Sequence, residues 1–414
     1  MPIFKPFKGI RPNDTFIDIF PTASLDNFSL EEIKQKARVK DSYVKMLKPY
    51  LVSKSKDVDR NMRKIRTDFD NMVSEKKMIQ DDTSYYVYEQ IHPNKTVYRG
   101  LLGLVSVDDF LEGKIKKHEA TIPQRREKLA DYLDKVNLQA EPVLLTYNKP
   151  SSRVEVFMNI EEKNVPIINF TSENGIRHKI WRIDNRLKMQ QLKDALDQID
   201  SFYIADGHHR IGSAALNAKN QKEKDKKHIG NEPYNYVFSY LVAKDSIKIH
   251  DYNRLVKNLN GLTSKKFLKK LESSFLIHER GELPYYPSQK FHISMYLDGK
   301  FYSLHVKHDL RIDGDDIHDL DHNLLERYIF DDILGIKLES VSENIEYLKG
   351  NSTIDGIIAI KEKVDSGEYK AGFAIYPVSF TDLIRISDMS IKMPPKCTLI
   401  EPKLMTALVM YDMK

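Results

Sequence analysis

The chain has 414 residues, 41% of them hydrophobic and 30% charged, with a formal net charge of +5. That length exceeds one compact core and allows two or three modules, and the composition excludes global disorder. The charge is small and spread over both halves, so it does not by itself imply nucleic acid and leaves room for a basic local site for an anionic substrate, and the single cysteine, Cys397, excludes an internal disulfide or a cysteine-built zinc cluster. No apolar run reaches the roughly 18 residues of a membrane-spanning helix. The start, Met1-Pro2-Ile3-Phe4-Lys5-Pro6, lacks the charged-then-apolar order of a signal peptide. A cytoplasmic protein without a membrane partner is expected.

Along the chain, Ser29-Leu30-Glu31-Glu32 has the reciprocal spacing of a capping box. A helix is expected over residues 57–78, with Met62, Ile65, Phe69 and Met72 on one face. Strands at 84–91 and 96–106 form a hairpin across His92-Pro93-Asn94-Lys95. A short helix at 107–112 has Asp108 as its cap. A longer one at 121–136 has Pro123 in its first turn and a stripe of Leu129, Leu133 and Val136. Strands follow at 142–147, 154–158 and 179–183, then a helix at 186–199. The buried strand Phe202-Tyr203-Ile204-Ala205 runs into Asp206-Gly207-His208-His209-Arg210 and an alanine-rich helix ending near residue 218. The charged run 221–228 reads as a solvated loop and 236–243 as a strand.

Beyond residue 260 the pattern is a second α+β unit. It has strands at 291–297, 302–306, 356–361 and 371–377, a helix at 322–330 and a proline-stiffened tail, Met393-Pro394-Pro395-Lys396-Cys397-Thr398. Three segments result: 1–80, helical and extended; 81–260, a core; and 261–414, an α+β domain closing the site.

The residues with the clearest chemistry are Asp206 to Arg210. Gly207 lets the backbone turn without a Cβ clash. The helix that follows presents its N-terminus, where anions bind. His208, His209 and Arg210 add donors, and an arginine grips phosphate oxygens through two parallel bonds. A carboxylate beside such a site, here Asp206, holds a metal ion or orients a proton-transfer group. A second segment places His118-Glu119 just before a helix. It is no zinc-protease motif, since no second histidine follows at the required spacing. Glu119 suits a general base toward a substrate hydroxyl, with His118, Arg125 and Arg126 as substrate-binding neighbours. In the tail, Lys396, Thr398 and Lys403 offer further donors for phosphate.

Together, four stretches resemble one family. They are Phe4-Lys5-Pro6-Phe7-Lys8-Gly9-Ile10-Arg11-Pro12, the His-Glu-x-Thr stretch at 118–121, the Asp-Gly-His-His-Arg turn at 206–210 and the Met-Pro-Pro-Lys tail. The family is the long bacterial and archaeal one first catalogued as a domain of unknown function and now called free-serine-kinase-like. Trp181-Arg182-Ile183 and the strand at 142–147 fall in order between these stretches. The resemblance implies an α+β fold with a ParB/sulfiredoxin-like catalytic core and added N-terminal and C-terminal elements. It implies transfer of a phosphoryl group to free L-serine. Glu119 would be the base, and Asp206 and His209 catalytic partners. Gly207, His208, His209 and Arg210 would surround the phosphoryl group, and Asp206 would hold magnesium. Two departures stand out: an insertion over roughly 148–177, and Phe20-Pro21-Thr22-Ala23-Ser24 in place of a Pro-Tyr-Asp-type signature.

Sulfiredoxin chemistry needs a cysteine in the glycine–histidine–arginine turn, where this chain has His208. DNA partition needs a helix-turn-helix reader, which the pattern lacks, so nucleic acid is not an expected partner. The alternative kept is a ParB-like regulator that binds nucleotide or DNA without kinase activity. No Gly-x-x-x-x-Gly-Lys-Ser/Thr loop exists, so an ordinary ATP loop is absent. The expected donor is pyrophosphate, ADP or ATP, with a slight preference for pyrophosphate, which needs only a compact cationic pocket.

Overall fold

The structure is a computed structural model. It describes residues 1–25, 28–51, 57–148, 152–311, 320–337, 343–393 and 396–414. The fold is mixed α+β, in two units. The first comprises Met1–Lys117, Thr121–Ile247 and Pro402–Lys414; the second comprises His118–Ala120 and Lys248–Glu401. Among the described residues, no helix is long and apolar enough to cross a membrane.

The first unit is built on strands β1 (Phe4–Lys5), β2 (Tyr85–Ile91), β3 (Val97–Ser106), β4 (Ile115–Lys116), β5 (Val143–Tyr147), β6 (Ile168–Thr171), β7 (Arg177–Ile183), β8 (Phe202–Asp206) and β9 (Tyr236–Ala243). They form one sheet in the order β6-β7-β2-β3-β9-β5-β8-β4, with β1 paired to β3. The β9–β5 and β8–β4 pairs are parallel and the others antiparallel. Strands β5 and β9 are buried along their whole length, as strands covered on both faces are.

Helices α1 (Val58–Ser74), α2 (Pro123–Val136), α3 (Ser152–Glu161), α4 (Arg186–Leu196) and α5 (His208–Lys224) belong to the same unit. Helix α1 buries Met62, Ile65, Phe69 and Met72, the expected face. It also buries Arg66, which donates to Asp412 at 2.7 Å, Asp70 at 2.6 Å and the Val136 carbonyl at 3.3 Å. The strand Met410–Asp412 lies between Gly9–Pro12 and Leu138–Gln139 in a four-stranded sheet. Both ends of the chain are therefore structural parts of this unit.

The second unit holds a six-stranded antiparallel sheet of β10 (Tyr252–Val256), β11 (Phe275–Gly281), β12 (His292–Leu297), β13 (Lys300–Val306), β14 (Ile345–Lys349) and β15 (Ala371–Ile375). Its order is β11-β13-β12-β15-β10-β14. One face packs Phe267, Leu271, Leu324, Leu325 and Ile329, from α6 (Ser264–Leu271), α7 (Asp321–Leu325) and the π-helical turn Glu326–Asp331. The other packs Ile357, Ile360 and Val364 of α8 (Ile354–Asp365). A last helix, α9, spans Phe380–Asp388 behind a complete capping box at Ser379.

Most expected elements are present, including the capping box at Ser29 and the hairpin of β2 and β3. Several differ. Residues 154–158, expected as a strand, lie in α3, where Val154, Met158 and Glu161 are buried at helical spacing while Val156 is 52% exposed. Residues 356–361, also expected as a strand, lie in α8, whose buried positions Gly356, Ile357, Ile360 and Val364 again follow the helical period. The helix Val107–Leu111 is capped by Ser106, which accepts from the Asp108 amide, not by Asp108. Helix α5 continues through residues 221–224, expected as loop, before the chain turns at Asp225. The expected helix at 322–330 divides into α7 and the π-helical turn. Pro394 and Pro395 lie outside the described residues.

Candidate functional site

Strand β8 carries the chain to the site. Its pairing with β5 runs Tyr203 to Thr146 and Ile204 to Leu145, then shifts so that Asp206 faces Leu144. Such a bulge re-aims the side chain that follows it. Gly207 comes next, with φ +99°. The residue is required twice here. L side chains avoid that conformation, and a Cβ would sit 2.9 Å from Nε of Arg210. Helix α5 starts at His208, and its N-cap, Gly207, offers no side-chain acceptor. The helix end therefore favours an anion without a competing cap.

Asp206 and Arg210 lie four residues apart across this turn. Oδ2 of Asp206 meets Nζ of Lys403 at 3.2 Å and an Arg210 terminal nitrogen at 3.4 Å. Oδ1 takes part in neither pair. Burial raises the carboxyl pKa and is the largest single influence, but Lys403 and Arg210 together outweigh it. They hold Asp206 ionised, with its pKa lowered to about 2. The side chain keeps 38% of its surface open, so it is accessible to a ligand. Arg210 in turn donates to the Pro142 carbonyl at 2.6 Å and pairs with Glu141 at 2.8 Å. Glu141 also accepts from Ser24 at 2.9 Å and Thr406 at 3.2 Å. Ser24 follows, and Thr406 belongs to, the small pairing of Thr22–Ala23 with Met405–Thr406. The Lys403 carbonyl accepts from Gln90 of β2 at 3.1 Å. Two cations and two carboxylates are thus fixed to the strand end from four parts of the unit.

The sequence-derived residues fall as follows. Asp206, Gly207, Arg210 and Lys403 come together in the first unit. His208 is buried, and His209 accepts from Ser213 through its carbonyl at 2.6 Å. Arg125 is exposed, whereas Nε of Arg126 is buried and its Cδ lies 3.6 Å from where a Cβ on Gly212 of α5 would be. His118 and Glu119 are grouped with the second unit. His118 is buried and its carbonyl accepts from the Met393 amide at 2.7 Å, while Glu119 bridges to Met393 in parallel. Lys396, over the Tyr252 ring at 5.4 Å, and Thr398 belong to that unit too. The sequence reading missed Glu141, Ser24 and Thr406. Ser24 lies in the very stretch noted as departing from the family signature.

A magnesium ion at this turn would meet one protein carboxylate, Asp206, which is paired with Lys403 and Arg210. It takes one or two protein carboxylates plus substrate phosphates and keeps several waters. Asp206 is ionised, partly open and has one oxygen outside its ion pairs. Among the described residues, no group of three or more histidine, cysteine or carboxylate side chains is arranged to hold a metal by itself.

A family model described as "Protein of unknown function (DUF1015)" matches residues 4–323. The chain belongs to the DUF1015 family. No curated protein matches it. Among solved structures, a mutant of free serine kinase in complex with AMP is similar over 72% of this chain and 86% of its own, at 14% identity and a TM-score of 0.35. A conserved hypothetical protein from Pyrococcus furiosus is similar over 72% and 90%, at 12% identity and 0.35. SbnI with a C-terminal truncation, from Staphylococcus aureus, covers 72% and 82%, at 14% and 0.37. Likeness at this level carries no argument about the chemistry of this DUF1015 member, which rests on its own residues.

Proposed function

We propose that this chain is a small-molecule kinase that transfers a phosphoryl group to the hydroxyl of free L-serine, giving O-phospho-L-serine. The observation that carries the reading is the β8–α5 turn. An ionised Asp206 stands between Lys403 and Arg210 at an anion-favouring helix start with no side-chain cap. Phosphoryl transfer asks little covalent chemistry of a protein; positioning and charge stabilisation supply nearly all of it. Arg210 and Lys403 would meet donor oxygens, with His208 and His209 beside them. Arg126, whose Nε is buried, is better placed than the exposed Arg125 to add an anion contact. Asp206 would hold magnesium, which supplies charge neutralisation on the donor oxygens when bound.

Glu119 is the proposed base. That role is carried by the resemblance of the His118-Glu119 stretch, as is serine as acceptor. The donor is ATP, ADP or pyrophosphate, and the absence of an ordinary phosphate loop favours pyrophosphate. The test is incubation of the full chain with serine and magnesium, separately with each donor, and mass-spectrometric detection of phosphoserine. Product with at least one donor is expected. Absence of product with all three would sink the kinase reading and put a non-catalytic binding role ahead.

A further inference from the structure

The second unit contains a cation with no salt bridge among the described residues. Arg254 of β10 is fully buried, the largest side chain in the molecule's fully buried set. Among the described residues no carboxylate is in salt-bridge contact with it: Glu326 acts on it through space, the Tyr347 ring lies under it at 4.6 Å, and its Nε has no hydrogen-bond partner. Burying a guanidinium without a salt bridge is costly, and an apolar side chain of similar size would serve packing alone better. Its two terminal nitrogens are committed to backbone. One donates to the Tyr252 carbonyl and the other to the Lys396 carbonyl at 3.1 Å. Lys396 has φ +60°, a left-handed conformation uncommon for a residue with a side chain.

A second buried side chain does the same one residue on. His322 of α7 donates from Nε2 to the Cys397 carbonyl at 2.7 Å. Burial first, and then the Arg254 charge, lower its pKa to about 3, so it is the neutral tautomer with its proton on Nε2. The backbone at 396–397 is thus gripped from β10 and from α7. Three residues before Lys396, the Met393 amide donates to His118 and its backbone pairs with Glu119. Met393 and Cys397 also pack into one buried cluster with Leu320, Val378 and Ile386.

We infer that Arg254 is a positioning residue for Glu119: it anchors Lys396 beside Cys397, and the packing of Cys397 with Met393 fixes the pairing that sets the Glu119 backbone. This rests on Glu119 being the base. Arg254 acts through two nitrogens held apart in a planar fork, a geometry that the single ammonium of a lysine does not reproduce.

The test uses the full chain with Arg254→Lys and with Met393→Pro, which deletes the amide donated to His118; both side chains are buried, so the exchange of strand Phe202–Asp206 reports whether each variant folds. Hydrogen exchange followed by mass spectrometry should show segment 118–120 exchanging about tenfold faster in both variants, the scale set by one lost charged hydrogen bond. Strand Phe202–Asp206 should be unchanged. Phosphoserine formation should lose about tenfold in kcat, with the donor KM unaltered. Exchange at 118–120 equal to wild type, or faster exchange with wild-type kcat, would overturn the inference. Faster exchange in a chain whose wild type makes no phosphoserine overturns the base assignment and leaves the anchor standing, so the two failures are distinguishable.

Discussion

At Asp206, burial and two cations pull the carboxyl in opposite directions, and the cations prevail. The folded pKa, about 2, lies below the ordinary 3.8. The stability this ionised group contributes is therefore complete above about pH 4 and is lost as pH falls through about 2. Replacing Lys403 with methionine removes the nearer cation. It should raise the Asp206 pKa and move that loss to higher pH, as read from the carboxyl carbon shift in an NMR titration. An unmoved titration would mean that Lys403 does not set the charge at the site. Gly207 carries a second residue-scale expectation. Gly207→Ala should destabilise the fold by about 1–2 kcal/mol through its left-handed backbone. It should also weaken donor binding, since the new methyl group displaces the Arg210 guanidinium. Urea unfolding and the donor KM report the two effects separately. The Asp-Gly-His-His-Arg turn was legible because its five residues are contiguous. Glu141 was not: nothing in its spacing links it to Arg210, and only the strand pairing of β5 with β8 brings them together.

Among the elements, strands with long apolar or aromatic runs were legible, and the misreadings share one cause. Val154 to Met158 and Gly356 to Lys361 are short windows rich in β-branched residues, where a two-residue and a 3.6-residue period are hard to separate. Extended to Glu161 and Val364, both show buried positions at intervals of three and four. The cap at Thr353, which accepts from the Asp355 amide, marks the second as a helix start. Packing of α2 on α5 gives a prediction at this scale. Gly212 lies inside α5, and a Cβ there would stand 3.4 Å from Thr121 and 3.6 Å from Arg126, ordinary contact distances. Gly212→Ala should leave the helix pair intact and stabilise the protein by up to about 1 kcal/mol in chemical denaturation. A loss of stability would show that the two helices approach more closely than this.

For the whole molecule, the grouping of segments was the part least visible in the sequence. Residues 402–414 complete the first unit, with Lys403 at Asp206 and Asp412 at Arg66, although the preceding 154 residues, Lys248–Glu401, belong to the second. The three-residue stretch His118–Ala120 leaves the first unit for the second and the chain returns at Thr121. Such exchanges depend on contacts hundreds of residues apart, which local pattern does not encode. They divide the tail donors, Lys403 to one unit and Lys396 and Thr398 to the other. The β8–α5 turn lies wholly in the first unit, and Asp206 is the residue proposed there to work in phosphoryl transfer. The most direct measurement is the rate of phosphoserine formation by wild type and by Asp206→Asn under the same donor and magnesium. The account predicts product from the wild type and a rate lower by about two to four orders of magnitude in the variant. A variant as fast as wild type would contradict it.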